Sequence, residues 1–305
     1  MTPSRIRYAR LATEQENRAS RALDRLTPLR VAALMNREDR RAVLAVARVR
    51  RKIAAAVDAI VAALGGGGRL FFVGAGTSGR LGVLEAAECP PTFGTPPRLV
   101  QAIMAGGRPA VFRSREGAED DARAAARAVG ARVRHGDVVV GVSASGVTPF
   151  VLAALAAARR RGARTVLVAC NPTTTRGAPA DVIIAPAPGP EVLAGSTRLK
   201  AGTATKLVLN TLTTAAMARL GKVYGNRMVD LQPRSAKLRE RAVRVITEIA
   251  GVRRPRARRA LAESGGSVRV AIVMARCGLS ARGAARVLRE AGGSLREALQ
   301  ESSRK

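Results

Sequence analysis

Short apolar runs punctuate the middle of the chain, and longer alternating segments separate them. Five runs are rich in Val, Ile, Leu and Phe: RLFFVGAG (69–76), LVQAIMAGG (99–107), GDVVVGVSASG (136–146), RTVLVAC (164–170) and DVIIAP (181–186). Ala- and Arg-rich stretches of helical spacing lie between them, such as 119–129 and 149–161. Short buried strands that alternate with helices predict a parallel sheet. The expected fold is therefore α/β, with a three-layer, flavodoxin-like arrangement of a sheet flanked by helices.

Helical patterns flank this region on both sides. On the N-terminal side, the segments 18–31 and 41–64 carry apolar residues at helical spacing, and GGGG at 65–68 ends that pattern. On the C-terminal side, helices are predicted at 196–220, 238–250, 255–262, 268–277, 280–291 and 294–301. Ser280 and Ser294 stand at expected N-caps. We predict an N-terminal helical segment (1–64), a central α/β domain (65–232) and a small C-terminal helical bundle (233–305).

Composition excludes a mainly disordered chain and argues against a nucleic-acid-binding function. The chain has 305 residues, of which 47% are hydrophobic, and a formal charge of +31. Such a charge suggests nucleic acid, but the arginines are scattered along the chain and aromatic residues, which stack on single-stranded bases, make up only 2%. We therefore interpret the charge as solvated surface and expect no specific nucleic-acid partner.

Cysteine usage and hydropathy indicate the compartment. Cys89, Cys170 and Cys277 are too few and too scattered for a disulfide framework or a CxxC metal site. No apolar run approaches the roughly 20 residues that span a bilayer, and the first 18 residues lack the apolar core of a secretory signal. We expect a soluble cytoplasmic protein with no membrane partner.

Two glycine-containing loops follow predicted strands and open predicted helices. The first is GAGTSGR (74–80) and the second is SASGVT (143–148). Glycines let the backbone approach a ligand, and Ser and Thr hydroxyls beside a helix N-terminus favour phosphate. A tight turn with a Ser/Thr N-cap is the alternative for either loop alone. The first loop also resembles the dinucleotide motif GxGxxG, but 94–104 lacks the acidic residue expected there, which argues against NAD.

The segment VGAGTSGRLGVLEAAECPPTFG (73–94) resembles the signature of N-acetylmuramic acid 6-phosphate etherases, which belong to the sugar isomerase (SIS) superfamily. The similarity continues through EGAED (116–120), the second loop with its helix (143–172) and 189–230. It reaches weakly into 22–39 and into the helical tail, so it covers nearly the whole chain. The resemblance implies an SIS-type sheet, a homodimer and a lyase. One histidine and three scattered cysteines cannot supply a standard zinc site, so we expect no metal and no cofactor.

The family cleaves the D-lactyl ether of N-acetylmuramic acid 6-phosphate to give N-acetylglucosamine 6-phosphate and D-lactate. Opening of the sugar ring exposes an aldehyde that acidifies the C2 proton, and the lactyl ether at C3 is then eliminated. Water adds to the unsaturated aldehyde. Two carboxyl groups in different protonation states suit this sequence of proton transfers.

The resemblance assigns the catalytic roles to Glu88, as the acid that assists lactate departure, and to Glu119, to which we assign removal of the C2 proton. The acids of these two segments also allow purely structural interpretations. Glu85, one turn before Glu88, is interpreted as a surface acid. The acids around Glu119, which are Glu116, Asp120 and Asp121, would suit a solvated helix start that offsets the helix dipole.

The resemblance also assigns the substrate-binding residues, with phosphate on the second loop, support from the first, and a third polar loop near the sugar. They are Gly76, Thr77, Ser78, Gly79, Ser143, Ser145, Gly146, Thr148, Ser196, Thr197 and Lys200. Lys200 could equally be a salt-bridge partner of the C-terminal domain. Many relatives carry a longer or polar residue where this chain has Val147, so phosphate affinity here could be lower. His135, the only histidine, precedes a predicted strand, where a surface role is favoured.

Two other functions share this fold. One is a non-catalytic sugar-phosphate sensor resembling glucokinase regulatory proteins, and the other is an aldose–ketose isomerase. The pairing of Glu88 with Glu119 argues against a sensor, which needs no acid and base. The blocks PPTFG (90–94) and STRLKAGTA (196–204) favour the etherase over an isomerase.

Overall fold

The computed structural model of the chain describes residues 11–233 and 235–301. Residues 1–10 of the predicted N-terminal segment, and residues 234 and 302–305 of the predicted C-terminal bundle, lie outside that description. The chain divides into two compact units. The first contains residues up to 87 together with 98–213, and the second contains 88–97 together with the residues from 214 onward.

A five-stranded parallel sheet forms the centre of the first unit. Its strands are β1 (Leu70–Gly74), β2 (Val100–Met104), β3 (Val138–Val142), β4 (Arg164–Val168) and β5 (Val182–Ile184). Their order is β2-β1-β3-β4-β5. Each apolar run of the sequence supplies one strand, which confirms the predicted α/β class. All residues of β1 and β3 are buried, as expected of strands that helices cover on both faces.

Seven helices contribute residues to this unit: α1 (Pro28–Arg48), α2 (Arg50–Gly65), α3 (Gly76–Phe93), α4 (Pro109–Phe112), α5 (Ala122–Arg132), α6 (Pro149–Arg160) and α7 (Lys200–Arg219). The predicted helix over 18–31 is wrong in its first part, where two short 3₁₀ turns stand instead, at Arg18–Ser20 and Leu23–Arg25. The reason is Pro28, which pushes the preceding Thr27 into extended backbone and suits only the first turn of a helix.

Glycine allows α3 to lie close to the sheet. A Cβ atom at Gly82 would stand 2.7 Å from the Cβ of Phe72 on β1, so only a residue without a side chain fits there. On β3, Gly141 faces Val151 and Leu155 of α6 in the same manner. These contacts fix the helices that follow the two glycine-containing loops.

The second unit is helical. It contains α8 (Ala236–Ala250), α9 (Arg254–Glu263), α10 (Val268–Cys277), α11 (Ala281–Glu290) and α12 (Leu295–Glu301), with a short antiparallel pair, β6 (Val223–Tyr224) and β7 (Arg227–Met228). Both predicted serine caps are confirmed. Ser280 accepts a hydrogen bond from the backbone N–H of Gly283 at 3.2 Å, and Ser294 accepts one from Glu297 at 3.3 Å. Within the described residues, no helix is both long and apolar enough to cross a membrane.

Candidate active site

The two glycine-containing loops leave the same edge of the sheet. β1 and β3 are parallel neighbours, and the last residue of each, Gly74 and Val142, pair in register. The strand order reverses at this point, because β2 lies on one side of β1 and β3 on the other. Ligands of open α/β sheets bind in the crevice outside such a switch point. The fold therefore brings together the two loops that the sequence singles out.

Close backbone packing shapes the first loop. A Cβ atom at Gly79 would lie 2.6 Å from the carbonyl oxygen of Gly74, so a larger residue would push the turn open. Gly76 has a φ of +53° and begins α3. Thr77 and Ser78 are half-buried in the first turn of this helix. A long helix thus begins at the loop, and its N-terminal N–H groups and positive dipole end favour an anion.

The hydroxyl of Ser143 organises the second loop from within. Ser143 is buried, and its Oγ lies 2.7 Å from the Oγ1 of Thr148 and 3.3 Å from the Oγ of Ser145. It also accepts a hydrogen bond from the N–H of Gly146 at 3.0 Å. Ser145 and Thr148 are only half-buried. Of the predicted phosphate ligands in this loop, Ser143 holds the conformation, and the other two hydroxyls are the more accessible.

Asn171 and Thr174, which follow β4, support the second loop through hydrogen bonds to its backbone. Neither residue was predicted from the sequence. The side-chain amide of Asn171 donates to the carbonyl of Ala144 at 3.0 Å and accepts from the N–H of Ala12 at 3.0 Å. Thr174 donates through Oγ1 to the carbonyl of Ser145 at 2.6 Å. Their place directly after a predicted strand was the signal available in the sequence, since neighbouring parallel strands end at one edge.

Glu119 shares a cavity with the first loop. It is exposed on a 3₁₀ turn, Ala118–Asp120, that precedes α5. The cavity has a volume of about 380 Å³, and its lining includes Gly76, Arg80, Met104, Arg115, Glu116 and Glu119. A predicted catalytic acid and a predicted binding glycine thus lie on one concave surface. Asp121 instead caps α5 by accepting from the N–H of Ala124 at 2.8 Å, as the helix-start alternative describes.

Glu88 and Glu85 stand in contrasting environments on α3. Glu88 is exposed and belongs to the second unit. Glu85 is only 4% exposed, so its interpretation as a surface acid is wrong. Its carboxylate accepts hydrogen bonds from the ammonium of Lys206 and from the Oγ1 of Thr213, the latter at 2.7 Å. Partners on α7 satisfy the charge of Glu85 and account for its burial.

The third polar loop leads into α7. Ser196 and Thr197 are half-buried before its first residue, Lys200. The side chain of Lys200 is fully buried, and its ammonium lies 2.7 Å from Oε2 of Glu38. Lys200 is therefore a salt-bridge partner, but of helix α1 rather than of the C-terminal domain. Its contact with substrate stays a prediction.

Two buried carboxylates surround this start of α7. Glu191 accepts from the backbone N–H groups of Lys200 and Ala201, each at 2.9 Å, and so caps the helix. Burial raises the pKa of Glu191 and outweighs these hydrogen bonds. Burial also acts to raise the pKa of Glu38, but hydrogen bonds from Lys200 and Asn17 outweigh it and hold that pKa below its ordinary value. No sequence motif pointed to Glu38 or Glu191.

The sequence also singled out Val147 and His135. Val147, between Gly146 and Thr148, is 8% exposed; its side chain is apolar, and its backbone N–H donates to the Oγ of Ser145 at 3.3 Å. His135 is exposed in the turn before β3, at the opposite end of that strand from the second loop. Its position agrees with the surface role favoured from the sequence.

Comparisons with known proteins agree with the geometry. The chain is 54% identical to the N-acetylmuramic acid 6-phosphate etherase of Symbiobacterium thermophilum, over 88% of this chain and 90% of that protein. It is 56% identical to the etherase of Gloeobacter violaceus, over 87% of each chain. The chain belongs to the N-acetylmuramic acid 6-phosphate etherase family. This etherase-family chain thus spans most of the length of its relatives.

Domain profiles and a solved structure describe the same fold. The profile of the glucokinase regulatory protein N-terminal SIS domain matches residues 52–159, and that of the SIS domain matches residues 120–215. A phosphoheptose isomerase from Francisella tularensis is similar in structure, with a TM-score of 0.50 and 16% identity. The alignment covers 63% of this etherase-family chain and all of the isomerase. At that identity the likeness concerns the fold.

Proposed function

We propose that this chain cleaves the lactyl ether of N-acetylmuramic acid 6-phosphate, giving N-acetylglucosamine 6-phosphate and D-lactate. The observation that carries the proposal is the sequence identity of 54% and 56%, over nearly nine-tenths of the chain, with two N-acetylmuramic acid 6-phosphate etherases. The switch-point crevice supports it, because two phosphate-type loops and a cavity containing Glu119 lie on the first unit.

In this proposal the reaction proceeds by elimination and addition. With the sugar ring open, Glu119 removes the C2 proton, which the C1 aldehyde acidifies. The C3–oxygen bond then breaks, Glu88 donates a proton to the departing lactate oxygen, and a double bond forms between C2 and C3. Water adds at C3 and gives up a proton to Glu88, and Glu119 returns a proton to C2. Each cycle consumes one water and returns both carboxyl groups to their starting states.

The phosphate binds at the second loop in this proposal. The half-buried hydroxyls of Ser145 and Thr148 bind the phosphate in this proposal, and the buried Ser143 holds the loop in shape. The first turn of α3 contributes the N–H groups of Gly76, Thr77 and Ser78 and the hydroxyls of Thr77 and Ser78. Gly79, whose N–H donates to the carbonyl of Ala75 at 3.0 Å, allows the close turn. Ser196, Thr197 and the buried Lys200 complete the sugar side of the site.

The decisive experiment is incubation with N-acetylmuramic acid 6-phosphate and assay of released D-lactate. Glu88→Gln and Glu119→Gln should each lower the rate by about 10²–10⁴, the usual contribution of a general acid or base. Asp120→Asn is the matched control, because Asp120 is exposed on the same turn as Glu119 and should leave the rate unchanged. Variant rates within about threefold of the wild type would remove those carboxylates from the mechanism.

A sugar-phosphate regulator is the second candidate, favoured by the regulatory-protein SIS profile over residues 52–159. It predicts binding of the sugar phosphate with no release of lactate. The same assay therefore separates the two functions, since a regulator would show saturable binding by calorimetry and no product.

We also propose a cytoplasmic homodimer. Exposed apolar side chains on α1 support an interface between copies, namely Leu29, Val43 and Leu44, which are 80%, 52% and 59% exposed. Sedimentation equilibrium should give twice the mass of 31.9 kDa. Leu44→Glu should shift the mass towards that of a single chain, because a charge in an apolar interface is costly to desolvate.

A further inference from the structure

Arg80 is held in a fixed orientation at the wall of the cavity that contains Glu119. Its Nε donates to the carbonyl of Val111 at 2.8 Å, and its Nη2 donates to the carbonyl of Ala110 at 2.9 Å. A guanidinium carries five N–H groups in a rigid plane. Two of these N–H groups are bonded to carbonyls of α4. The edge formed by Nη1 and Nη2 therefore still offers two parallel N–H groups.

No carboxylate of the described residues forms an ion pair with Arg80. Two neighbouring parallel N–H groups match the two oxygens of a carboxylate, which a guanidinium binds in bidentate geometry. Arg80 is also half-buried, so solvent screens its charge less than that of an exposed group. This edge is thus suited to an anionic group of a ligand.

The other charges of the cavity make the role of Arg80 more specific. Glu116 and Glu119 also line the cavity and repel an anion. Arg115 supplies a second positive charge, but it is exposed, and its Nη1 donates to the carbonyl of Gly106 at 3.1 Å. A carboxylate entering this cavity therefore finds its best-oriented partner in Arg80.

We infer that Arg80 binds the carboxylate of the lactyl group and so determines specificity for the lactyl ether. The inference rests on the proposed function. That substrate is anionic at both ends, with a phosphate at C6 and a carboxylate on the substituent at C3. The phosphate is assigned to the second loop, which leaves the carboxylate to be recognised elsewhere.

The cavity has the right size and neighbours for this group. Only C3, the ether oxygen and one carbon separate the carboxylate from C2, whose proton is assigned to Glu119. A volume of about 380 Å³ accommodates the lactyl group and the adjoining part of the sugar. Held by Arg80, the carboxylate fixes the direction of the bond between C3 and the ether oxygen relative to Glu119. Arg80 takes no part in proton transfer.

The test compares N-acetylmuramic acid 6-phosphate with its lactyl carboxamide, which has the same shape without the charge. The wild type should prefer the acid in kcat/KM by about 10- to 150-fold, the range expected for a hydrogen bond to a charged group. In Arg80→Gln this preference should fall to about one. Arg115→Gln, which removes a charge from the same cavity, should retain it.

Three results would overturn the inference: equal use of acid and amide by the wild type, an unchanged preference in Arg80→Gln, or loss of the preference in Arg115→Gln instead. N-acetylglucosamine 6-phosphate, which lacks the lactyl group, should bind wild type and Arg80→Gln equally. A matching loss of its affinity would assign Arg80 a purely structural role. If Arg80→Gln does not fold, Arg80→Lys carries the test, because it keeps the charge without the two-pronged geometry and should reduce the preference.

Failure of the proposed function would look different. The wild type would then release lactate from neither compound. Calorimetric affinities of the acid and the amide would still test Arg80, because that comparison requires binding and no turnover.

Discussion

The ammonium of Lys200 lies 2.7 Å from Oε2 of Glu38, and both side chains are fully buried. The same carboxylate oxygen accepts a hydrogen bond from the amide of Asn17 at 2.7 Å. One buried ion pair therefore joins helix α1 to the first residue of α7, directly after the predicted sugar-binding loop. Lys200 therefore both forms a buried ion pair with α1 and directly follows the loop that is predicted to bind the sugar.

Glu38→Gln should destabilise the protein by about 3–5 kcal/mol, because it leaves the Lys200 ammonium buried without its counter-charge. Urea unfolding at neutral pH measures the loss. The double variant Glu38→Leu, Lys200→Met should recover most of it, since apolar replacement of a buried pair is often neutral. Glu16→Gln, which removes an exposed pair with Arg21, is the control and should leave the midpoint unchanged. A loss no larger than that of this control would show that the buried pair does not stabilise the fold.

Acid should weaken the protein through Glu38. Its folded-state pKa lies below the ordinary value of 4.5, so the unfolded chain takes up the proton first as the pH falls. The stabilisation is therefore present above that ordinary value and is lost as the pH falls through the folded-state pKa. Urea midpoints measured between neutral pH and the onset of acid unfolding should fall less steeply in Glu38→Gln than in the wild type.

Glu191 provides the comparison of opposite sign. Burial raises its pKa, so the folded chain binds that proton more tightly and loses this contribution as the pH rises through the folded-state pKa. Glu191→Gln should therefore make the acid dependence of the midpoints steeper, where Glu38→Gln makes it shallower. A change in the same direction for both variants would contradict these assignments.

The second loop should separate binding from folding. Ser145→Ala removes an accessible hydroxyl and should weaken binding of N-acetylglucosamine 6-phosphate by about 10- to 150-fold, with little change in thermal stability. Ser143→Ala removes the hydroxyl that bonds Gly146 and Thr148, so it should lower both affinity and melting temperature. Calorimetry and thermal unfolding give the two quantities. A wild-type affinity equal for phosphorylated and unphosphorylated sugar would refute the phosphate assignment.

Isotopes should distinguish elimination from direct displacement. If Glu119 removes the C2 proton, turnover in D₂O places deuterium at C2 of the product, because the carboxyl proton exchanges with solvent. Turnover in H₂¹⁸O should place the label at C3 of the sugar. Mass spectrometry reads both positions. Recovery of ¹⁸O in lactate instead would mean that the other carbon–oxygen bond breaks, which no role of Glu88 described above allows.

The periodicity of apolar residues is sufficient to predict the strands of the sheet. It is not sufficient to predict the long-range polar contacts that hold the surrounding segments. All five apolar runs became strands because buried parallel strands are continuously apolar, and the loops after β1 and β3 met because neighbouring strands end together. The pairing of Glu38 with Lys200, and of Ala12 with Asn171, joins positions 162 and 159 residues apart. No local pattern encodes such contacts, since each is created only when the chain packs. For the same reason no local pattern reveals the burial of Glu85, whose partners Lys206 and Thr213 lie on α7.

The length of chain between Glu38 and Lys200 also governs the order of events on the ribosome. At roughly 5–20 residues per second, the 162 residues between them take about 8–30 s to make. Throughout that interval Glu38 lacks the ammonium of Lys200, and Ala42 of α1 lacks Ala201 and Ala204 of α7, with which it packs. The N-terminal helices are therefore among the first parts of the protein to be synthesised and among the last of the first unit to be locked in place.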